Sequence, residues 1–235
     1  MTTPSLKFEL GLEFKDLLYL DANPIMNSVT TLCINCGTSH YLQDHKLFLG
    51  SGITDDLTQY EFVKNIKHLI IYSDVREFVT VLDYFVNLQM IETYFPITKN
   101  MKFSDALMRI YVIYNFSLVD IEFPSRLYKL KLCSHYNHSL VGVKFPPELK
   151  VLELGNVDSL LDVILPERLE KIILSSNIKT LDMINDILFP PSLTTIDLSH
   201  IRPTTITTIP SNFTSIKLTL CQIQELSFQK LFKNL

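Results

Sequence analysis

The sequence predicts an α/β solenoid, a stack of short coils that each give one strand to a parallel sheet. Three observations lead there. Five segments share one template: FPSRLYKLKL from Phe123, FPPELKVLEL from Phe145, LPERLEKIIL from Leu165, FPPSLTTIDL from Phe189 and IPSNFTSIKL from Ile209. Their prolines, Pro124, Pro146, Pro166, Pro190 and Pro210, recur at intervals of 22, 20, 24 and 20 residues. Each segment ends with apolar residues alternating with free positions, the period of a strand with one buried face.

Repetition is a physical requirement at this unit length. A coil of about 20 residues loses more backbone entropy on folding than its few buried side chains return, so neighbours must roof one another. Proline has no N–H and a fixed φ, which excludes it from a central ladder and assigns it to the return segment of each coil. The aromatic residue before it (Phe123, Phe145 or Phe189) is expected to plug inward between coils.

Taken in order, residues 1–61 read as an N-terminal cap with degenerate first repeats, and residues 62–235 as the repeat array, one continuous solenoid. LKFELGLEF alternates as a capping strand would, and Ile25, Val29, Leu32 and Ile34 fit a first unit. Residues 35–61 hold no register. Phe62, Ile66, Leu69 and Ile71 resume the pattern. In DVREFVTVLDYF, Val75, Phe78, Val79, Leu82 and Phe85 recur at helical spacing behind Asp74 as N-cap, predicting a helix on the outer side of one coil. Tyr84, Leu88 and Ile91 form the next unit, and Phe103 to Val112 another, with Ser104 in place of proline. After the five proline-led units, Phe228, Phe232 and Leu235 match the opening of a further one. The segment FQKLFKNL is therefore read as a lid or as the start of a unit in a longer chain.

Composition narrows the function classes. The 235 residues are 47% hydrophobic and 20% charged, a folded composition, with net charge −4 and no basic block. That gives no electrostatic footprint for nucleic acid or an anionic membrane. No apolar run is long enough to suggest a membrane span, and the first residues lack the features of a secretory leader. Four cysteines make no disulfide framework. The expected compartment is the cytoplasm, with the nucleus compatible. The sequons at Asn115, Asn137 and Asn212 are read as chance in a chain rich in Asn, Ser and Thr.

With P-x-x-L-x-x-L-x-L in units of 20–24 residues, the chain resembles a leucine-rich repeat protein of the proline-bearing kind, well over residues 62–220 and poorly before them. The resemblance implies a right-handed solenoid with a curved parallel sheet on the concave face and mostly irregular or short helical convex segments. The family places Asn or Cys at the turn leaving each strand. Asn115, Asn177 and Cys221 match, whereas His135, Val157 and Ile201 depart from the pattern. In that architecture the free strand positions face outward on the concave side. They offer partner-binding candidates Tyr72, Met90, Tyr94, Arg109, Tyr111, Lys129, Lys131, Glu153 and Lys171. Tyr72, Tyr94 and Tyr111, with Ile70, Met90 and Ile113, would form an aromatic patch of the composition favoured at interfaces. Arg109, Lys129, Lys131 and Lys171 would form a basic stripe beside it.

Chemistry-bearing motifs are sparse. Cys33, Cys36, His40 and His45 are a Cys2His2 set for zinc, but three residues separate Cys36 from His40 where fingers leave about a dozen. No thioredoxin-like context supports a redox reading of the two cysteines. Phosphate-binding glycine loops, nucleophile elbows and metalloprotease helices are missing, and the chain has only six glycines. Asp197 with His200, and His135 with His138, read as solvated pairs. The expectation is a non-enzymatic scaffold that binds a protein partner, without cofactor, resident metal or small-molecule ligand. The rivals are the substrate-recognition part of a ubiquitin-ligase adaptor of the F-box type, a regulatory repeat fragment of a larger multidomain enzyme, and a zinc-dependent N-terminal module.

Overall fold

The computed structural model describes residues 8–10, 27–34, 40–43, 46–49, 60–72, 82, 84–157, 159–174, 187–200 and 213–219. The chain divides into two units, Met1–Ile110 and Tyr111–Leu235. In the first unit, β1 (Phe8–Leu10), β2 (Thr31–Ile34), β3 (His40–Gln43), β4 (Lys46–Leu49), β5 (His68–Ile71) and β6 (Met90–Thr93) lie in the order β1-β3-β4-β2-β5-β6. Strand β2 pairs directly and in parallel with β5, and β5 with β6, so that Leu32, Leu69 and Ile91 share one row. The stretch without register after Ile34 adds no rung between them. It supplies β3 and β4, an antiparallel pair whose second strand runs beside β2, while β1 pairs antiparallel with β3.

Strand β7 (Arg109–Val112) spans the boundary between the units. In the second unit, β8 (Lys129–Leu132), β9 (Val151–Glu153), β10 (Lys171–Ile173), β11 (Thr195–Asp197) and β12 (Ser215–Lys217) pair in sequence order, all parallel and in register. Four of the five proline-led segments supply β9 to β12 and the fifth supplies β8, as successive rungs. Each unit thus contains a run of parallel-strand solenoid. Strand centres are apolar because they face the stacked interior: Leu130, Leu152, Ile172 and Ile196 are fully buried.

Two turns shape the return segments after β7, β8 and β9. In the first, the N–H of Leu127, Leu149, Leu169 or Leu193 donates to the carbonyl of Pro124, Pro146, Pro166 or Pro190, at 2.9 to 3.1 Å. At the first position of such a turn proline lends only its carbonyl, so its missing N–H costs nothing. Val63, Phe85 and Ser104 accept in the same way from Ile66, Leu88 and Leu107. Here one expectation is corrected. The prolines are buried, whereas Phe123, Phe145 and Phe189 before them are only half-buried and Tyr84 is exposed. A Pro-x-x-Leu turn points its first and last residues inward together, which turns the preceding aromatic sideways. Phe189 accordingly meets Phe213 of the next coil edge-on, ring centroids 5.4 Å apart.

The second turn lies earlier in the return segment. The N–H groups of Ile121, Val143 and Val163 donate to the carbonyls of Leu118, Leu140 and Leu160. Ser117, Ser139 and Ser159 accept through their hydroxyls from the N–H two residues on, at 3.3, 3.1 and 3.0 Å. Asp120, Gly142 and Asp162 occupy the left-handed region at the same place in each turn, with φ of 68, 84 and 60°. Asp tolerates that conformation and Gly adopts it freely.

These turns correct the α/β expectation. Among the described residues no α-helix forms, and helical conformation is limited to short 3-10 stretches such as Glu61–Asn65. In the returns after β7, β8 and β9, hydroxyl-supported turns close the chain within too few residues for a helix to nucleate. The helix expected over residues 74–85 lies almost wholly outside the described residues.

Candidate functional site

The outward face of the sheet follows from strand alternation. In β5, β6 and β8 buried and half-buried residues alternate, so every second side chain meets solvent. On the first unit this face carries two cross-strand pairs. Tyr72 and Tyr94, 40% and 36% exposed, stack at 4.8 Å between centroids with their planes 22° apart. His68 Nε2 lies 3.1 Å from Glu92 Oε1. Burial pushes the His68 imidazole below its ordinary value of 6.5, the nearby Glu92 carboxylate partly restores it, and Lys46 pushes the same way as burial. At neutral pH the ring is therefore uncharged, and it donates through Nε2 to a carboxylate that can only accept. Met90 is half-buried between these pairs in sequence, and Arg109 is exposed with no ion pair among the described residues.

On the second unit the same face is charged. Lys131 Nζ lies 2.7 Å from Glu153 Oε1 and Lys129 Nζ 3.2 Å from Oε2, so one carboxylate holds two ammonium groups on the neighbouring rung. Both ammonium groups also sit over the Tyr111 ring, 5.3 and 5.8 Å from its centroid, a cation–π arrangement. Burial pushes the Glu153 carboxyl up, but the hydrogen bonds and charges of Lys131 and Lys129 outweigh it and hold the group below its ordinary value. Farther along, Asp197 is 3% exposed. It accepts from Ser199 N at 3.1 Å and Ser199 Oγ at 2.6 Å, and pairs with Lys217 at 3.0 Å. Burial raises its pKa, and these partners more than reverse that. Lys171 makes no ion pair among the described residues.

The structure therefore brings Tyr72 together with Tyr94, and Tyr111 with Lys129, Lys131 and Glu153. Lys129 and Lys131 of the expected basic stripe share a single carboxylate and so keep a net positive charge, while Arg109 in one unit and Lys171 in the other make no ion pair among the described residues. Cys33 is buried, while Cys36 and His45 lie outside the described residues. Among the described residues, no group of three His, Cys, Asp or Glu side chains could hold a metal ion. The expected solvated pairs do not form as such: Asp197 bonds Ser199 and Lys217, and the His135 ring contacts Ser134 while His138 lies edge-on to Tyr136. Asn115, the turn residue, accepts from the Asn137 backbone N–H at 3.2 Å and donates to its side chain at 2.8 Å, tying two coils together.

Spacing alone passed over the His68–Glu92 pair and the Asp197 cluster, because both depend on register between strands 20 to 24 residues apart. No described helix is long and apolar enough to cross a membrane. No protein-family model matches the chain, and no curated protein matches it.

Proposed function

We propose that the chain is a leucine-rich repeat scaffold, without catalytic activity, that binds a protein partner on the outward face of its parallel sheet. The Pro-x-x-Leu turns, the in-register ladder and the Asn115 side chain on a neighbouring backbone N–H support the family reading. The outward polar groups support a binding role in place of a chemical one. His68, Glu153 and Asp197 are each engaged by a neighbour of opposite or complementary character.

The observation that carries the reading is the Tyr72–Tyr94 stack. Two stacked rings on adjacent rungs, each more than a third exposed, give a rigid amphipathic surface at low entropic cost, the chemistry of an interface anchor. In the leucine-rich repeat architecture this face is concave and would wrap its partner.

Affinity capture with mass spectrometry identifies the partner. The pair Tyr72→Ala and Tyr94→Ala is expected to weaken its binding by about tenfold or more, with the circular dichroism unchanged. Val141→Ala, on an exposed return-segment turn, is expected to leave binding intact. Equal binding by the tyrosine variant would refute the assignment.

A further inference from the structure

We infer that the outward face of the second unit takes an acidic peptide segment, with Glu153 as an internal counter-ion competing for the same lysines. This rests on the reading of the sheet face as a docking surface and names the chemistry of what docks there.

The chain as a whole carries net charge −4, yet three successive rungs place Lys129, Lys131 and Lys171 around a single carboxylate. Register sets the layout. Lys129, Val151 and Lys171 occupy one row, and Lys131, Glu153 and Ile173 the next. Two rungs of a sheet span about 10 Å, so a carboxylate laid over Val151 would stand between the ammonium groups of Lys129 and Lys171.

The lysines are prepared for such a guest. An ammonium group has three N–H donors, and Lys129 and Lys131 each direct one to Glu153, leaving the others for a second acceptor. Their ammonium groups are held over the Tyr111 ring, so part of the rotamer entropy that binding would cost is already lost on folding. Among the described residues, Lys171 has no ion pair to give up. The charge balance favours a peptide over a nucleic acid. Three cations against one anion suit one or two carboxylates, whereas a phosphate backbone needs a longer track of cations.

Fluorescence anisotropy at low ionic strength, with a labelled oligoglutamate peptide as probe and oligoglutamine as control, tests this. Oligoglutamate is expected to bind and oligoglutamine not. Lys129→Met and Lys171→Met should each weaken binding by about threefold or more, and Glu153→Gln should tighten it by a similar factor. If circular dichroism shows Glu153→Gln misfolded, Lys171→Met decides, since it breaks no ion pair among the described residues. Equal binding of oligoglutamine, indifference to Lys171→Met, or tighter binding of a single-stranded oligonucleotide through the same lysines would overturn the proposal. Any of these with the partner still captured through Tyr72 and Tyr94 would sink the acidic peptide and spare the docking role.

Discussion

The outward faces of the two units differ more than their interiors do. In the first unit the cross-strand pairs are a tyrosine stack and a neutral His68 on Glu92. In the second they are Lys129 and Lys131 on Glu153, and Lys217 on Asp197. Inward, both units repeat the same thing: Leu69 and Ile91 in one, Leu130, Leu152 and Ile172 in the other, all fully buried. Stacking dictates the inward row, because every coil must seal its neighbour. It asks nothing of the outward row beyond β-strand compatibility, so that row is where the units diverge and where recognition can be written.

That contrast makes inward changes the largest expected effects, and equal ones. Ile91→Asp in the first unit and Leu152→Asp in the second each put an unpaired carboxylate into a closed apolar stack. Each should cost about 4 kcal/mol or more, seen as loss of cooperative urea unfolding and of hydrogen-exchange protection in adjacent strands. Tolerance of one but not the other would break the claim that both interiors obey one rule.

Gly155→Ala sharpens the limit of outward freedom. Gly155 follows the last strand anchor, in the row that holds Tyr72 and Tyr94 in the first unit, yet it is buried. A Cβ there would come 1.9 Å from the Cys133 carbonyl oxygen and 2.8 Å from Tyr136 Cβ. Tyr136 itself is fully enclosed, its hydroxyl without a hydrogen-bond partner of normal geometry among the described residues and its pKa pushed up to about 12 by burial, despite some relief from the Leu118 backbone. The clash is with backbone and a ring stem that cannot swing away. A loss of about 2–3 kcal/mol is expected by denaturant unfolding; a neutral result would mean the coil can shift, and that this row is free after all.

Much of the ladder was legible in the sequence because its cause is periodic. The five prolines announced β8 to β12, and the apolar alternation named the buried residues. What stayed hidden was what does not repeat by residue type. The second turn recurs as Ser117, Ser139 and Ser159 before a left-handed Asp, Gly and Asp, a period carried by hydroxyls and backbone shape instead of hydrophobicity. Residues 35–61 lacked register because their strands β3 and β4 belong to an antiparallel pair on the far side of β2. The aromatic patch was legible as composition, but which tyrosines touch depends on register: Tyr72 stacks on Tyr94, while Tyr111 carries lysines.

The smallest expected effect separates the two units by pH. His68 is a base whose folded pKa lies below its ordinary 6.5, chiefly because burial penalises the charged ring. Below 6.5 the unfolded chain takes up that proton more readily than the folded one, so stability is lost on acidification from 6.5 downward. Glu153 is an acid held below its ordinary 4.5 by two lysines that overcome its burial. Its contribution is intact above 4.5 and is lost only as pH falls from there through the folded value. Both groups keep some solvent contact, so each contributes from a few tenths to about 1 kcal/mol. Unfolding free energies of wild type, His68→Gln and Glu153→Gln across pH should therefore diverge in order. The wild-type and His68→Gln curves part below 6.5, while the advantage of wild type over Glu153→Gln holds until about 4.5. A His68→Gln difference of the opposite sign, with wild type gaining on the variant as pH falls from 7 to 5, would mean that the Glu92 carboxylate, and not burial, governs the ring, and the first unit's pair would then be an ion pair like those of the second.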